Sequence, residues 1–491
     1  MAGAPPRGKS YRLCPRCRSR MSIDTRMCHR CLTRLGSDHD VIVESDQDVI
    51  AGPPEHLSKA QRLILAARGR RRLLLQLAAG LLAVVAVITS WWVYRQFIWE
   101  PTPVPAAAGA RNLPAPGTLW PTEHGDVGAN RATPASVPFE AEIAWSRDFD
   151  APTTTALTTD GERLFVGLAD ARLLALSVED GSEVWSRAVP GQLDVAPTVA
   201  EGVLYVAQRD GLVLALDPAT GDQIWAFYSG GPHFTAPVPY EGTLYTAGQR
   251  EFRGLDAESG EELWASGGLA HQDFTIQPVI EDEKVVLAVS NRLFVHERLT
   301  LHRENSFRTS RMRHVAVADD AIVGVGRREI VVLDQSATPY AWDGLPLVRA
   351  IWSQGFLWNV APAIPRDSNL WTERVRERFA LPRAPAVGDG RLFVAFASGE
   401  LRARGLRSGE ELWTRAPGEP ITGDPLLTGE GLLVPRGTWL QLLDPATGDE
   451  IWRRSLDGQV ISSVTVTEGG TYAAVGVRGL ITGRSTVVAA R

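Results

Sequence analysis

A repeat of about 40 residues constrains the fold of this chain more than any other feature. It shows as eight short apolar runs: RLFVGL from 163, VLYVAQ from 203, TLYTAG from 243, KVVLAV from 284, AIVGVG from 321, RLFVAF from 391, GLLVPR from 431 and TYAAVG from 471. Several runs follow a turn of an acidic residue and glycine, such as Glu201-Gly202 or Asp389-Gly390, which indicates a β-hairpin. A unit this short cannot bury its apolar face alone, so neighbouring units must stack.

A second marker ends many of the repeats. Five segments, VEDGSEVW, DPATGDQIW, DAESGEELW, LRSGEELW and DPATGDEIW, each place a tryptophan shortly after a TG, SG or DG turn; these are Trp185, Trp225, Trp264, Trp413 and Trp452. The turn joins the last two strands of a four-stranded sheet, and the tryptophan can pack against the neighbouring sheet. Four strands in each repeat predict an all-β fold, a β-propeller of about eight four-stranded blades.

The count of blades depends on the degenerate repeats near 293–307, 330–342 and 358–376. We interpret residues 345–380 as an insertion, because NLWTERVRERF favours a helix over a strand. GFLWNV at 355–360 leaves a ninth blade open. The strand around Ile143–Trp145 is expected to join residues 459–491 and close the ring.

The motif D-x-x-T-G-x-x-x-W resembles the tryptophan-docking repeat of the quinoprotein (PQQ-like) propellers, and WPTEHGDVGANRATP at 120–134 resembles the segment that opens their ring. The resemblance covers residues 120–491 and implies eight blades. In quinoprotein dehydrogenases it would also imply PQQ on a Ca²⁺ ion, a catalytic Asp and a pair of adjacent disulfide-bonded cysteines. No cysteine follows Cys31, so this chain is more similar to the BamB-like, non-enzymatic propellers, which implies a protein-binding scaffold.

The four cysteines all lie near the N-terminus, as Cys14-x2-Cys17 and Cys28-x2-Cys31. Two such pairs can form a tetrahedral site of four thiolates, which zinc prefers, and a segment as short as 1–36 needs a metal to fold. The segment resembles the zinc ribbons of many bacterial membrane proteins, with Arg18 and Leu32 where glycine is usual. We predict one structural zinc ion; a disulfide framework is the alternative. Haem attachment is excluded, since no histidine follows either pair.

Residues 73–94 contain no charged side chain over 22 positions and predict a single transmembrane helix. Trp91, Trp92 and Tyr94 mark one end, and Arg68 with residues 70–72, all arginine, marks the other. The positive-inside rule then places the N-terminus in the cytoplasm of a bacterium and the C-terminal part in the periplasm, with the helix in the inner membrane. Cleavage within AAAG at 106–109 stays open. Residues 37–72 form an acidic linker with a basic end, and residues 95–119 a Pro/Ala-rich stalk.

Charge is divided unevenly along the chain. Residues 1–72 contain 15 Lys and Arg against 7 Asp and Glu, and the rest contains 36 against 50. Nine of the basic residues fall in 1–36, beside one acidic residue, Asp24. They could form a nucleic-acid patch, but we favour an arginine-rich ribbon close to anionic lipid headgroups and expect no nucleic-acid partner.

No catalytic or cofactor-binding residue is predicted, and the chain is not expected to be an enzyme. His233, His271, His296, His302 and His314 have no metal-ligand spacing and are interpreted as blade-loop or surface residues. The preferred function is a scaffold for protein partners in the cell envelope, including outer-membrane protein assembly. A transmembrane sensor that couples a ligand-binding propeller to the ribbon is the main alternative, and a PQQ-dependent redox enzyme is a third.

Overall fold

The structure is a computed structural model of the 491-residue chain. It describes residues 11–22, 24–34, 41–42, 75–91, 103–107, 120, 122–137, 143–248, 251–267, 274, 276–289, 292–301, 303–309, 311–335, 369–375, 381–461, 463–468, 470–476 and 485–490. These residues belong to two compact units, Met1–Glu100 and Pro101–Arg491.

The first unit contains a small antiparallel sheet and a helix. Strand β1 (Tyr11–Leu13) pairs on one side with β2 (Arg20–Met21) and on the other with β3 (Val41–Ile42). The helix covers residues 75–91, and every one of these residues is exposed. It lies inside the predicted span 73–94, whose two ends fall outside the described residues. Within the described part of the chain, no helix is both long and apolar enough to cross a membrane.

The second unit is built from eight antiparallel sheets, which confirms the prediction of an all-β propeller with eight blades. Each blade runs from an inner to an outer strand. The strands of blades 1 to 4 are β5 (Thr158–Thr159), β6 (Arg163–Gly167), β7 (Arg172–Ser177), β8 (Glu183–Ala188); β9 (Thr198–Ala200), β10 (Val203–Ala207), β11 (Leu212–Leu216), β12 (Gln223–Tyr228); β13 (Val238–Tyr240), β14 (Thr243–Ala247), β15 (Glu251–Asp256), β16 (Glu262–Gly267); and β17 (Val279–Glu281), β18 (Lys284–Val289), β19 (Arg292–Glu297), β20 (Arg303–Arg308).

The remaining blades follow the same order. Their strands are β21 (Met312–Ala318), β22 (Ala321–Gly326), β23 (Glu329–Asp334), β24 (Asn369–Arg374); β25 (Ala386–Gly388), β26 (Arg391–Ala395), β27 (Leu401–Gly405), β28 (Glu411–Arg415); β29 (Leu426–Leu427), β30 (Leu432–Arg436), β31 (Trp439–Leu443), β32 (Glu450–Ser455); and β33 (Gln459–Val460), β34 (Thr465–Thr467), β35 (Gly470–Gly476), β36 (Ser485–Ala490) with β4 (Ile143–Phe149). The eight apolar runs form the second strand of each blade.

The ring closes by strand exchange between the two ends of the propeller. Strand β4 pairs antiparallel with β36, with Trp145 opposite Ala489, and becomes the outer strand of blade 8. This pairing confirms the expectation from the sequence. The N-terminal and C-terminal strands of the propeller thus share one blade, so the ring cannot open without breaking a strand pair.

The acidic-glycine turns are two-residue hairpin loops between the first and second strands. Glu201 and Gly202 both have positive φ, 43° and 78°, as a type I′ turn requires. Blade 5 makes the equivalent turn with Asp319 and Asp320, at 51° and 57°. Aspartate tolerates the left-handed region better than most residues, which explains how this turn forms without glycine.

Tryptophan docking joins successive blades. The indole Nε1 of Trp185 donates to the carbonyl oxygen of Pro218 in the next blade at 2.9 Å. Its ring lies on Gly221, where a Cβ atom would come within 2.9 Å of the ring. Four further pairs repeat this geometry: Trp145 on Gly181, Trp225 on Gly260, Trp371 on Gly409 and Trp413 on Gly448. The glycine in the turn is therefore required both by its positive φ and by the tryptophan that covers it.

The helix that we predicted within 345–380 is wrong where the structure describes this region. Asn369–Arg374 is strand β24, which pairs with β23 as the outer strand of blade 5. Trp371 donates to the carbonyl oxygen of Leu406 at 2.8 Å, like the other docking tryptophans. Tertiary pairing outweighs the weak helical preference of the sequence. Residues 345–368, including GFLWNV, lie outside the described residues.

Blade 4 departs from the docking pattern, because Leu301 occupies the turn position of the glycine. Its amide still donates to Glu297 at 2.8 Å, and its φ is 54°. Trp264 instead packs on Gly254 of its own blade, where a Cβ atom would lie 2.3 Å from its ring. Val104, from the predicted stalk, packs against the same apolar cluster and donates its amide to Leu299 at 2.7 Å. Val104, which comes from outside the ring, thus contributes to the contact between blades 3 and 4.

The docking glycine is required by its positive φ and by the tryptophan ring that covers it, and a pair of glycine substitutions separates these two effects. Gly260→Ala places a Cβ atom 2.5 Å from the Trp225 ring, whereas Gly202→Ala, at nearly the same φ, meets nothing within 4 Å. We expect Gly202→Ala to cost about 1–2 kcal/mol from the left-handed backbone alone. Gly260→Ala should cost a further 1–3 kcal/mol or so, because the indole must move. Urea unfolding of both variants measures the difference, and equal losses would contradict the docking role.

Candidate functional site

The four cysteines meet in the first unit. Their sulfur atoms all lie within 4.8 Å of one another, and all four side chains are buried. The Sγ atoms of Cys14 and Cys31 are 3.4 Å apart, and those of Cys17 and Cys28 are 3.5 Å apart. Among the described residues, this is the group whose geometry could hold a metal ion.

The two cysteine pairs form knuckles of the same geometry. The amide of Arg18 donates to Cys14 at 2.8 Å, and the amide of Leu32 donates to Cys28 at 2.9 Å. Arg18 and Leu32 have φ of 55° and 60°, which explains why glycine is usual at these positions. Hydroxyl groups two residues after the second cysteine of each pair lie 3.1 Å from its sulfur, Ser19 at Cys17 and Thr33 at Cys31.

Burial and hydrogen bonds set the protonation of the thiols in opposite directions. Burial raises the pKa of the Cys14 thiol to about 12. Burial also opposes ionisation of Cys31, but hydrogen bonds from the Thr33 hydroxyl and amide and from neighbouring thiols together lower its pKa to about 6. A cation that binds all four sulfurs must therefore displace protons, as thiolate sites do.

A second polar site lies in the propeller, where Trp120 and residues 122–135, here called the axial segment, run along the inner strands. Inner-strand amides of five blades donate to carbonyl oxygens of this segment at 2.8–3.0 Å. The pairs are Thr159 to Trp120, Ile280 to Val127, Val317 to Gly128, Val387 to Asn130 and Leu427 to Arg131. The five donor residues occupy the equivalent position in their blades, because each is paired with the equivalent residue of the second strand. In the order given above, the paired residues are Leu164, Val285, Ile322, Leu392 and Leu432.

Unusual backbone conformations let the axial segment follow the ring. Ala129 and Arg131 both have φ of 52°, in the left-handed region. At Gly128, a Cβ atom would lie 2.7 Å from the carbonyl oxygen of Val317. The motif G-A-N-R thus turns the chain and allows a close approach of two backbones.

Arg131 fastens the axial segment to blade 7. Its side chain is completely buried; Nε donates to Pro425 at 3.0 Å, and Nη1 donates to Glu123 at 2.9 Å, both at carbonyl oxygens. The guanidinium also lies over the Trp120 ring, 5.6 Å from its centroid. Asp424, in the same blade, accepts from the Ala384 amide at 3.0 Å and from the Ser463 hydroxyl at 2.8 Å. Blades 6, 7 and 8 are thereby joined at the axis.

Titratable groups surround Arg131, and each is half-buried. Burial and the charge of Asp424 raise the pKa of Glu123 to about 7. Burial lowers the pKa of His124 to about 3 and that of His314 to about 4. Burial opposes ionisation of Asp424, but the charge of Arg131 outweighs it and holds the pKa of Asp424 well below its usual range. At neutral pH the site therefore pairs one fixed cation with one fixed anion, beside neutral imidazoles.

Sequence reasoning missed this axial site. His314 and Asp424 stand at the same register position, three residues before the inner-strand residue whose amide donates to the axial segment, Val317 and Leu427 respectively. Blades 1, 2, 3 and 6 have alanine there, at 156, 196, 236 and 384, and blade 4 has Gln277. The repeat did contain a sign of the axial site, because blades 4, 5 and 7 have a polar residue at a position where the other four named blades have alanine.

Of the three histidines that the structure describes, His233 lies in a loop between β12 and β13, as interpreted, although it is only 2% exposed. The interpretation is wrong for the other two: His296 lies in strand β19 and is 1% exposed, and His314 lies in strand β21 at the axial site. His296 bonds through Nδ1 to the carbonyl oxygen of Leu301 at 2.9 Å, in the turn that lacks glycine. Burial lowers the pKa of His233 to about 4, so it is neutral near pH 7. His271 and His302 lie outside the described residues.

Comparison with known proteins agrees with the fold. A family model described as "Outer membrane protein assembly factor BamB" matches residues 139–344, 359–437 and 397–482. None of the curated proteins matches the chain in sequence.

Several solved structures share the architecture at low identity. BamB from Moraxella catarrhalis is 13% identical, with 71% of this chain and 99% of that chain covered and a TM-score of 0.54. Quinohemoprotein alcohol dehydrogenase from Comamonas testosteroni is 12% identical, with 76% and 80% covered and a TM-score of 0.58. The computationally designed Ika8 protein is 13% identical, with 70% and 99% covered and a TM-score of 0.54. At such identities the likeness concerns the fold alone.

The axial site predicts a pH-dependent effect of Glu123→Gln. The ordinary pKa of glutamate is 4.5 and that of Glu123 is about 7, so the folded state favours the protonated carboxyl. Its stabilising contribution is complete below pH 4.5 and is lost as the pH rises through about 7. Glutamine stays neutral, so the variant should gain about 1–3 kcal/mol on the wild type between pH 5 and pH 8.

Urea unfolding at several pH values measures this difference. Glu179→Gln, at an exposed turn of blade 1, is the control. His314, whose lowered pKa destabilises the fold as the pH falls from 6.5 towards 4, contributes equally to wild type and variant and cancels. A difference that does not change with pH would show that burial does not hold the proton on Glu123.

Proposed function

Because the chain belongs to the family described as outer membrane protein assembly factor BamB, we propose that it is a non-catalytic scaffold that binds protein partners in the cell envelope. The assembly of outer membrane proteins, the role that gives the family its description, is the process in which we expect it to act. The fold alone is shared with dehydrogenases and with a designed protein, so the proposal rests on family membership together with features of the rim.

The rim of the propeller, which is formed by the outer strands of the blades, has features that suit the binding of protein partners. The outer strand of each blade is the terminal strand of its sheet, with one edge available for pairing. An aliphatic side chain precedes the docking tryptophan in four blades and is 42–51% exposed: Val184, Ile224, Leu412 and Ile451. The rim therefore offers the same combination, a strand edge and an apolar side chain, at several places around the ring.

The axis is a poorer candidate for function, because the axial segment already accepts hydrogen bonds from five inner strands there. PQQ has several carboxylates and would need several cationic donors. Arg131 is the fully buried cation of the described axial site, and two of its nitrogens are already bonded to Pro425 and Glu123. Asp424 is bonded to Ala384 and Ser463. These residues do not fit PQQ, and we derive no redox step from them.

For the first unit we propose one structural zinc ion on Cys14, Cys17, Cys28 and Cys31. Four buried sulfurs within 4.8 Å fit a tetrahedral thiolate site, and tetrahedral S4 geometry favours zinc. The hydroxyls of Ser19 and Thr33 supply hydrogen bonds to two of the sulfurs, as the outer partners of metal ligands do.

We also propose that residues 73–94 anchor the protein in the bacterial inner membrane, with the ribbon in the cytoplasm and the propeller in the periplasm. The support is the run of 22 uncharged residues and the exposure of apolar side chains all around the helix 75–91. This topology would keep the thiols in a reducing compartment. Externally added protease should then digest the propeller in spheroplasts and leave the ribbon intact.

Rim substitutions test the scaffold proposal. Ile224→Lys and Ile451→Lys together place charges on two exposed rim positions, so the fold should persist while partner binding falls at least tenfold. The measurement is quantitative mass spectrometry of proteins that co-purify with the full-length chain from native membranes. Glu430→Lys, at an exposed turn near the axis, is the matched control. Unchanged recovery of envelope partners with the rim variant would contradict the proposal.

The sensor alternative is distinguished in the same experiment. Cys14→Ser with Cys28→Ser removes two of the four metal ligands but leaves the propeller unchanged. Equal recovery of envelope partners supports the scaffold. A cytoplasmic partner that disappears with the cysteine variant would favour a sensor that links two compartments.

Metal analysis tests the ribbon. We expect one zinc per chain in the purified protein and less than a tenth of that in the cysteine variant, because two thiolates cannot hold zinc against a chelator. Cobalt substitution should give the sulfur-to-metal absorption of a tetrathiolate site. A metal-free wild type with two disulfides would show that the oxidised alternative is correct.

A further inference from the structure

We propose that the basic surface of the ribbon docks on anionic lipid headgroups of the membrane that holds the chain. The basic surface is defined by five exposed arginines: Arg16, Arg18, Arg20, Arg26 and Arg34. The proposal rests on the membrane anchor suggested above and adds a second, electrostatic attachment to it.

The charge of the ribbon exceeds what its metal site can neutralise. Residues 11–34 contain seven arginines and one acidic residue, Asp24. One Zn²⁺ ion with four thiolates has a net charge of about −2, which leaves the ribbon at about +4. Arginines that only balanced the thiolates would give a ribbon close to neutral. The remaining positive charge lies on a surface exposed to solvent and attracts negative charge from outside the ribbon.

The arginines are distributed over both knuckles in equivalent positions. Arg16 and Arg30 follow the first cysteine of each pair by two residues, and Arg20 and Arg34 follow it by six. Because the knuckles share one backbone geometry, these arginines stand at equivalent positions of the two knuckles. Such an arrangement gives a broad cationic surface and suits a partner whose negative charges are spread over an area.

Proximity favours lipid over nucleic acid. Residues 35–74 connect the ribbon to the helix 75–91. This short connection gives the ribbon a high effective concentration at the bilayer surface. Each arginine near an anionic bilayer raises binding by a factor of about 5, and the gain extends over roughly one Debye length, about 10 Å at 0.1 M salt. Three exposed arginines, Arg18, Arg26 and Arg34, then raise binding on the order of 100-fold without any specific pocket.

The acidic linker is the competing partner within the chain. Six acidic residues lie between 37 and 60, and strand β3, from the same stretch, pairs with β1 of the ribbon. If the linker alone satisfied the arginines, docking would not depend on the lipid. The lipid composition of the bilayer therefore separates the two possibilities.

The test uses full-length protein in nanodiscs of phosphatidylcholine, with or without one third phosphatidylglycerol. A dye on the N-terminus and an acceptor dye in the lipid report the distance of the ribbon from the bilayer by energy transfer. We expect strong transfer with phosphatidylglycerol at 0.1 M NaCl, its loss at 0.5 M NaCl, and weak transfer in phosphatidylcholine alone. Equal transfer in both lipids would overturn the proposal.

Two variants form a matched pair. Arg18→Gly with Arg26→Gln and Arg34→Gln removes three charges, which should weaken docking on the order of 100-fold. Leu32→Gly changes the equivalent left-handed position of the other knuckle without removing charge, and should dock like the wild type. Zinc content confirms that both variants keep the ribbon folded. Unchanged transfer in the charge variant would count against electrostatic docking.

Two further measurements distinguish binding of nucleic acid and absence of a membrane anchor from lipid docking. Release of the ribbon from phosphatidylglycerol nanodiscs by low micromolar duplex DNA or RNA would show that nucleic acid is the stronger ligand and would overturn the proposal. A chain that does not incorporate into nanodiscs would refute the anchor instead. In that case co-sedimentation of the same chain with phosphatidylglycerol vesicles would still measure the basic surface alone.

Discussion

The packing of a tryptophan ring on a glycine of the next blade is the interaction on which the propeller depends. Trp145, Trp185, Trp225, Trp371 and Trp413 each lie on such a glycine, and each donates its indole hydrogen bond to a carbonyl of the next blade. Since Trp145 comes from strand β4, the exchange that closes the ring uses the same interaction as the joints within it. Where Leu301 replaces the glycine, Trp264 packs within its own blade, and Val104 from outside the ring contributes to the cluster.

The axial segment supplies hydrogen-bond acceptors to the inner strands. Each inner strand ends its sheet, so its free amides would be unsatisfied at the axis. Carbonyls of the axial segment accept from five of these strands, and Arg131 fastens the segment to Pro425. The titratable groups at the axis belong to this closure: Asp424 compensates the buried charge of Arg131, and its own oxygens are bonded to blades 6 and 8. Strongly shifted pKa values here reflect burial within a structural junction, although such shifts are also typical of active sites.

The repeat made most of the propeller predictable, since all eight blades have an apolar second strand and five of them have a turn shortly before a tryptophan. The outer strand of blade 5 was missed because NLWTER has good helix formers, and only its pairing with β23 makes it a strand. Tertiary pairing of this kind is not readable from a local window. The cysteine cluster was predictable because four ligands within eighteen residues encode their own site. The axial site was not, because Glu123, Arg131, His314 and Asp424 are far apart in sequence and meet only when the ring closes.

Fold likeness leaves the function of a propeller open, because function depends on which of its surfaces can bind a partner. At the axis a ligand that bound Arg131 Nε or Asp424 would have to displace them from bonds between blades, although Arg131 Nη2 and His124 Nδ1 are buried there without a hydrogen-bond partner in the described part of the chain. At the rim, by contrast, exposed residues such as Ile224 and Ile451 stand beside strand edges at regular intervals. A partner can bind there without breaking any contact that holds the ring together. This difference supports the proposal of a scaffold that binds its partners at the rim.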